Sequence, residues 1–159
     1  MRLWDEKGKP IYSWITHQGA SIRSVSVDQV ANMIVTGGGD GGISLWPLPK
    51  VDNTRTAEKV ERIRFDNNLG LTKLQDIPRR IVLSRSGKLF TVTNRGYLLC
   101  YDGSLWQCVV EDDRFADYCL LQISKSRQYI SLSSIRGDIM ILRGGSLNNS
   151  LDVSFMLNY

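Results

Sequence analysis

The sequence predicts an all-β fold built from repeated four-stranded antiparallel units. Three observations predict it. A glycine stands five residues before the end of a short apolar run three times over: Gly41 before Trp46, Gly96 before Tyr101 and Gly137 before Leu142. Each of these glycines separates that run from an earlier one, Met33–Val35, Leu89–Val92 and Tyr129–Leu132. The unit also returns at a near-constant interval, 42 residues from Trp4 to Trp46 and 41 from Tyr101 to Leu142. Strand–turn–strand units with a period near forty are the pattern of a β-propeller array, each unit being one blade.

Taken in order, Met1–Asp5 is the tail of one copy and Pro10–Ile15 its outer strand, so residues 1–16 read as the end of a blade. Ser21–Val27 alternates apolar and polar residues with period 2, as a half-buried strand does. Met33–Thr36 is the next strand, Gly37–Gly42 a turn, and Ile43–Leu48 a third strand closed by Pro47 and Pro49. Proline has no amide to give to a central ladder. The spacing of 55 from Trp46 to Tyr101 places extra residues after this strand, where 50–60 is polar and uneven. Arg62–Phe65 then reads as the outer strand, giving a blade over 17–66 with an insertion at 50–60. The rhythm resumes at Arg80–Ser84, Leu89–Thr93, Tyr97–Tyr101 and Trp106–Val110, a blade over 77–111. Tyr118–Ile123, Tyr129–Ser133, Ile139–Leu142 and Leu151–Leu157 make the last, over 117–157, with a loose Gly144–Ser150 before its outer strand. No segment reads as a helix.

The chain has 159 residues. A propeller closes with about 4–8 blades, so about three blades plus a partial one imply a partial propeller, a piece of a longer protein. Arg2, Asp5, Glu6 and Lys7 interrupt the opening, and no apolar stretch of secretory or membrane-spanning length follows. A cytoplasmic location without membrane contact is the expectation. Twenty basic residues against sixteen acidic ones leave a net charge of +4, which permits a polyanionic partner without requiring one. The three cysteines, Cys100, Cys108 and Cys119, are odd in number and lack the paired spacing of a zinc site. They read as small core fillers in a reducing compartment. No cofactor and no metal are expected.

His17, Thr36, Asp40 and Trp46 form the most pointed constellation: Thr36 lies four residues before Asp40, and Asp40 six before Trp46. The set resembles the buried tetrad of the WD-repeat family. There a histidine bonds an aspartate in the turn and a serine or threonine on the second strand, which reaches the tryptophan ring nitrogen. Buried polar groups of this kind are tolerated only when every one has a partner. Reading His17 and Asp40 as a catalytic acid–base pair is the alternative, but the tetrad already accounts for the only histidine in the chain. The likeness has departures: Thr16 precedes the histidine where the family has glycine, and Pro47 follows Trp46 where it has aspartate. Arg95 and Arg136 stand at the positions equivalent to Asp40, so the later blades are expected to lack the network.

Other motifs carry less. Gly37-x-Gly39-x-x-Gly42 matches a dinucleotide fingerprint by letter, but a strand follows where that motif needs a helix. Glu111-Asp112-Asp113 reads as a solvated loop, and Asn148-Asn149-Ser150 as an unused glycosylation acceptor. Arg55, Lys59, Arg62 and Arg64 are the densest basic stretch. They are candidates to hold nucleic-acid phosphates, with Phe65 nearby to stack a base. The competing reading is a solvated loop balanced by Glu58 and Glu61.

Within the WD-repeat class, three stretches resemble the WD repeat-containing protein 6 family, the non-catalytic partners of a tRNA ribose 2′-O-methyltransferase. They are Leu3-Trp4-x-x-x-Gly8 through His17-Gln18-Gly19-x-x-Ile22-Arg23, then Val35-Thr36-Gly37-Gly38-x-Asp40-x-Gly42-Ile43-x-Leu45-Trp46, and then Leu98-x-x-Tyr101-Asp102 with Glu111-Asp112-x-x-Phe115-x-x-Tyr118-Cys119-Leu120-Leu121. The last lies outside the generic repeat and is the most specific; the likeness covers about 1–123. It implies a cytoplasmic adaptor, not an enzyme, that binds tRNA and a methyltransferase subunit and sets the wobble nucleotide in the partner's active site, a role in tRNA processing. On that resemblance Arg55, Lys59, Arg62 and Arg64 would belong to the tRNA surface. A general protein-interaction scaffold, such as a substrate receptor of a ubiquitin ligase, is the alternative that generic repeats fit equally well.

Overall fold

The computed structural model describes residues 1–29, 32–48, 61–64, 76–84, 87–116, 119–144 and 151–157, with backbone placement alone for 61–64, 144 and 151–157. Fourteen strands fill these residues, joined by two single-turn 3₁₀ segments at His17–Gly19 and Asp113–Phe115. They form one two-stranded and three four-stranded sheets, all paired antiparallel.

β1 (Arg2–Trp4) pairs with β2 (Pro10–Ser13). The first full sheet runs β3 (Ile22–Asp28), β4 (Met33–Gly38), β5 (Gly42–Pro47) and β6 (Glu61–Arg64). The second runs β7 (Pro78–Leu83), β8 (Leu89–Thr93), β9 (Tyr97–Tyr101) and β10 (Trp106–Glu111). The third runs β11 (Cys119–Ile123), β12 (Tyr129–Ser134), β13 (Ile139–Gly144) and β14 (Leu151–Leu157). Each is a meander in chain order, the topology of a propeller blade. Pro47 does sit in β5, opposite Met33, at the end that β6 does not reach: β6 covers only Gly42 to Leu45. Its missing amide therefore leaves no ladder bond unmade.

The sheets stack face to face, and the core is what lies between them. Ile34 and Trp46 turn toward β1–β2 and pack on Trp14; Val35 and Ile43 turn the other way, onto Ile81, Leu83, Leu89 and Leu99. The second sheet splits in the same manner. Val82, Phe90, Val92 and Leu98 leave its other face and meet Leu121, Ile130, Leu132 and Leu142 of the third. Successive residues of a strand point to opposite faces, so a sheet covered on both sides needs unbroken apolar runs. That is why β8 and β9 read as such.

β3, β7 and β11 are the inner strands, β3 packing on β7 and β7 on β11. Buried Ser24 of β3 accepts the amide of Ile81 at 3.0 Å, pairing a donor at the inner edge of β7. The turn between β11 and β12 reaches past β7: Arg127 donates two hydrogen bonds to the Asp28 carboxylate at the end of β3, at 2.6 and 2.8 Å. The Asp28 side chain is 3% exposed and that of Arg127 24%. Removing either partner therefore has unequal consequences, because a carboxylate shut off from water cannot regain hydration while the arginine can. Arg127→Ala is expected to lower the urea midpoint more than Asp28→Ala does. Equal or reversed midpoints would show that the bridge does not tie these blades together in solution.

Candidate functional site

At the end of the blades where β4 turns into β5, the 3₁₀ turn at His17–Gly19 lays the histidine ring under the hairpin. His17 itself takes a positive φ of 50°, a conformation open to histidine more readily than to branched residues. Its Nδ1 lies 2.9 Å from Asp40 Oδ1 and its Nε2 2.9 Å from Thr36 Oγ1. Trp46 Nε1 donates to the same Thr36 oxygen at 3.1 Å, and the Gly42 amide donates to Asp40 Oδ1 at 3.0 Å. Donor rules order the chain. The indole can only donate and the threonine hydroxyl has one proton. Trp46 thus gives to Thr36; of the two acceptors within reach of the Thr36 hydroxyl, His17 Nε2 at 2.9 Å is nearer than the Ser44 carbonyl at 3.4 Å, and with the proton given to Nε2 it is Nδ1–H that gives to the carboxylate. Both ring nitrogens are spent, and the His17 side chain is fully buried. The arrangement does structural work; it offers no proton to a substrate.

The later blades solve the same problem with other residues. Thr91 holds the register position of Thr36 but donates to the Arg80 carbonyl at 2.9 Å. In that blade a buried carboxylate enters from the connecting segment: Asp76 accepts the amides of Ile77 and Asn94 at 2.8 and 3.1 Å, and that of Arg95 at 3.3 Å. In the third blade Ser134 donates to Asp138 at 2.9 Å, and Arg114 of the second 3₁₀ turn approaches Asp138 within 4.0 Å. Arg114 also forks onto Asp112, which holds that carboxyl below the usual carboxylate range. The expectation that these blades lack a network is thus corrected in part. They lack the His–Asp pair, but each ties its hairpin to the preceding connection through a carboxylate.

No family model matches the chain. Solved structures do. It superposes on the β-propeller domain of Myceliophteria thermophila Cps50 (Swd1) with a TM-score of 0.54 at 14% identity, covering 98% of this chain and 64% of that one. The fit to Saccharomyces cerevisiae Sqt1 has a TM-score of 0.61 at 13% identity, over 86% of this chain and 35% of that one. The chain has the fold of a WD-repeat β-propeller. Among curated proteins it is similar to the tRNA (34-2'-O)-methyltransferase regulator WDR6, with 28% identity to the Homo sapiens protein and 27% to the Bos taurus protein over 135 residues. Those residues are 84% of this chain and 12% of each relative's length.

Arg55 and Lys59, with the insertion at 50–60, lie outside the described residues. Arg62 and Arg64 are not on a loop but on β6, opposite Ser44 and Gly42. An edge strand can carry such charge because one of its sides has no strand to pair. The glycine-rich stretch holds no helix: Gly37 and Gly38 end β4 and Gly42 begins β5. Glu111 ends β10, and Asp112 caps the second 3₁₀ turn by accepting the Arg114 amide, so this cluster is a built corner and not a loose loop. No group of three or more metal-binding side chains exists among the described residues. Cys100 and Cys119 are buried, and burial pushes both thiols up to about 11. Cys108 departs from the expected core role and is exposed on the outer strand β10, whose far side has no strand.

Proposed function

We propose that the chain is part of a non-catalytic adaptor that binds tRNA and a tRNA ribose 2′-O-methyltransferase and presents the wobble nucleotide for methylation. The observation that carries this is the likeness over 135 residues to the WDR6 regulators. The structure supports the non-catalytic part: the one histidine of the chain is locked at both nitrogens inside a blade. An adaptor of this kind acts by orientation, and correct placement of two reactants is worth up to about 7–11 kcal/mol of barrier.

The test uses the whole protein. Purified with the tRNA 2′-O-methyltransferase from the same cell, it is expected to raise the rate of 2′-O-methylation at the wobble nucleotide, and to methylate nothing alone. The same rate with and without it would overturn the reading. The runner-up, a ubiquitin-ligase substrate receptor, would instead show as co-purified ligase subunits whose retention is indifferent to ribonuclease.

A further inference from the structure

Arginines gather at one end of the blades and the described lysines at the other, where Arg127 is spent on Asp28 and Arg143 is the exposed arginine. At the end bearing the β4–β5, β8–β9 and β12–β13 turns stand Arg23, Arg79, Arg80, Arg95 and Arg136, and all but the half-buried Arg79 are exposed. The four described lysines, Lys7, Lys9, Lys88 and Lys125, all lie at the opposite end, in the β1–β2, β7–β8 and β11–β12 turns.

The placement is built twice over. In the first full sheet the register slips between Ile22 and Ser24, and in the second between Pro78 and Arg80, at the equivalent point of the inner strand. The extra residue is an arginine in both, Arg23 and Arg79. A bulge turns a side chain out of the ladder and re-aims it. Arg79 is steadied there by a hydrogen bond to Asn94 beside the next turn. Arg95 and Arg136 then occupy the turn position that Asp40 holds in the first blade.

The acids at this end do not cancel these charges evenly. Asp40, Asp76, Asp112 and Asp138 face inward, onto His17, the Asn94 and Arg95 amides, Arg114, and Ser134. Asp40, Glu111 and Asp113 are the exposed acidic residues among the described residues of these turns; the Asp40 carboxylate is bound to His17 and only 16% exposed, and Glu111 is engaged by the Tyr97 hydroxyl. Four exposed arginines thus face three exposed acids across three consecutive blades, and one of the three, Asp40, already holds His17. Stacked sheets lie about 10 Å apart, so the arginines form a row with the reach of a few nucleotides. Planar guanidinium groups fit phosphate oxygens two at a time, which ammonium groups do not.

We propose that this row, from Arg23 through Arg80 and Arg95 to Arg136, is the surface that takes the phosphate backbone of RNA. The proposal rests on the adaptor reading for the identity of that RNA as tRNA. Its test is a binding titration of the whole protein with unmodified tRNA at several salt concentrations. The fourfold variant Arg23→Gln, Arg80→Gln, Arg95→Gln, Arg136→Gln is set against Lys7→Gln, Lys9→Gln, Lys88→Gln, Lys125→Gln, which loses the same charge at the other end. Each lost phosphate contact removes about 0.7–0.9 from the slope of log K against log salt. The arginine variant is expected to lose roughly tenfold or more in affinity and about 3 in slope, and the lysine variant little of either.

If the fourfold variant melts early, Arg95→Gln with Arg136→Gln, confined to two turn tips, carries the test with about half the slope change. Wild-type affinity and slope in the arginine variant, or equal losses in both variants, would overturn the surface while leaving the adaptor reading in place. So would retained tRNA binding with loss of the methyltransferase in a pull-down, which would make the row a docking site for an acidic protein. Failure of the wild type to bind tRNA or to stimulate methylation would overturn the adaptor reading and the surface with it.

Discussion

Gly38→Ala is expected to destabilise the first full blade more than removal of the Asp40 side chain does. A Cβ at Gly38 would overlap the Nδ1 side of the His17 ring and the Asp40 carboxylate. The methyl group therefore has to displace the hydrogen bond it sits against, and neither partner can swing away without losing its other bonds to Thr36 and Gly42. Overpacking costs about 1–3 kcal/mol, and leaving buried donors unsatisfied costs about 1–3 kcal/mol more. Asp40→Ala alone incurs only the second. Urea midpoints of the two single variants and the double variant test this. The double is expected to fall short of the sum, since deleting the carboxylate makes room for the methyl. A Gly38→Ala protein with the wild-type midpoint would show that the ring does not lie where the structure places it.

Phe115→Ala is expected to be the other large loss, about 3–5 kcal/mol. Phe115 is 0% exposed, and its ring belongs to the core between the second and third sheets, with Val92, Leu98, Leu121 and Leu142. It enters from the 3₁₀ turn, whose backbone also presses on Gly96: a Cβ there would stand 2.5 Å from the Asp112 carbonyl oxygen and 2.9 Å from the Ala116 nitrogen. Gly96 has a φ of +84°, so glycine is required on both counts. Amide hydrogen exchange should show early loss of protection in β11 and β12 of Phe115→Ala, with β3 to β5 less affected, and Phe115→Leu should restore most of it. Unchanged protection in β11 would contradict the assigned packing.

The tetrad could be read from spacing because its four members come from one repeat and one hairpin, where chain separation dictates approach. Phe115 stood in a stretch that reads as polar, Glu111-Asp112-Asp113-Arg114, and its burial depends on a neighbouring sheet. The carboxylate networks of the later blades escaped for a related reason. Asp76 and Arg114 come from the connections before their blades, at no fixed distance from the turns they hold. The arginine row was hidden more thoroughly, because Arg23 is re-aimed by a bulge, and Arg80 follows a second bulge at Arg79, neither of which a composition count reveals. Arg55, Lys59, Arg62 and Arg64, by contrast, are the densest basic run in the sequence, yet two of these belong to an edge strand.

The sequence by itself determined the class of the fold, the strand order and nearly every hairpin, since short apolar runs, alternating in β3 and unbroken in β8 and β9, are punctuated by glycine at a fixed phase and repeat near every forty residues. It also determined which blade holds a His–Asp pair. The tertiary structure alone decided which face of each strand meets which neighbour, how Arg127 reaches Asp28 over a separation of 99 residues, and which charges are spent inside and which are left to face solvent. Local pattern records the preference of a segment for strand or turn. The pairing of a buried charge is fixed only when distant segments are brought together, because the cost of leaving it unpaired arises only once water has been removed.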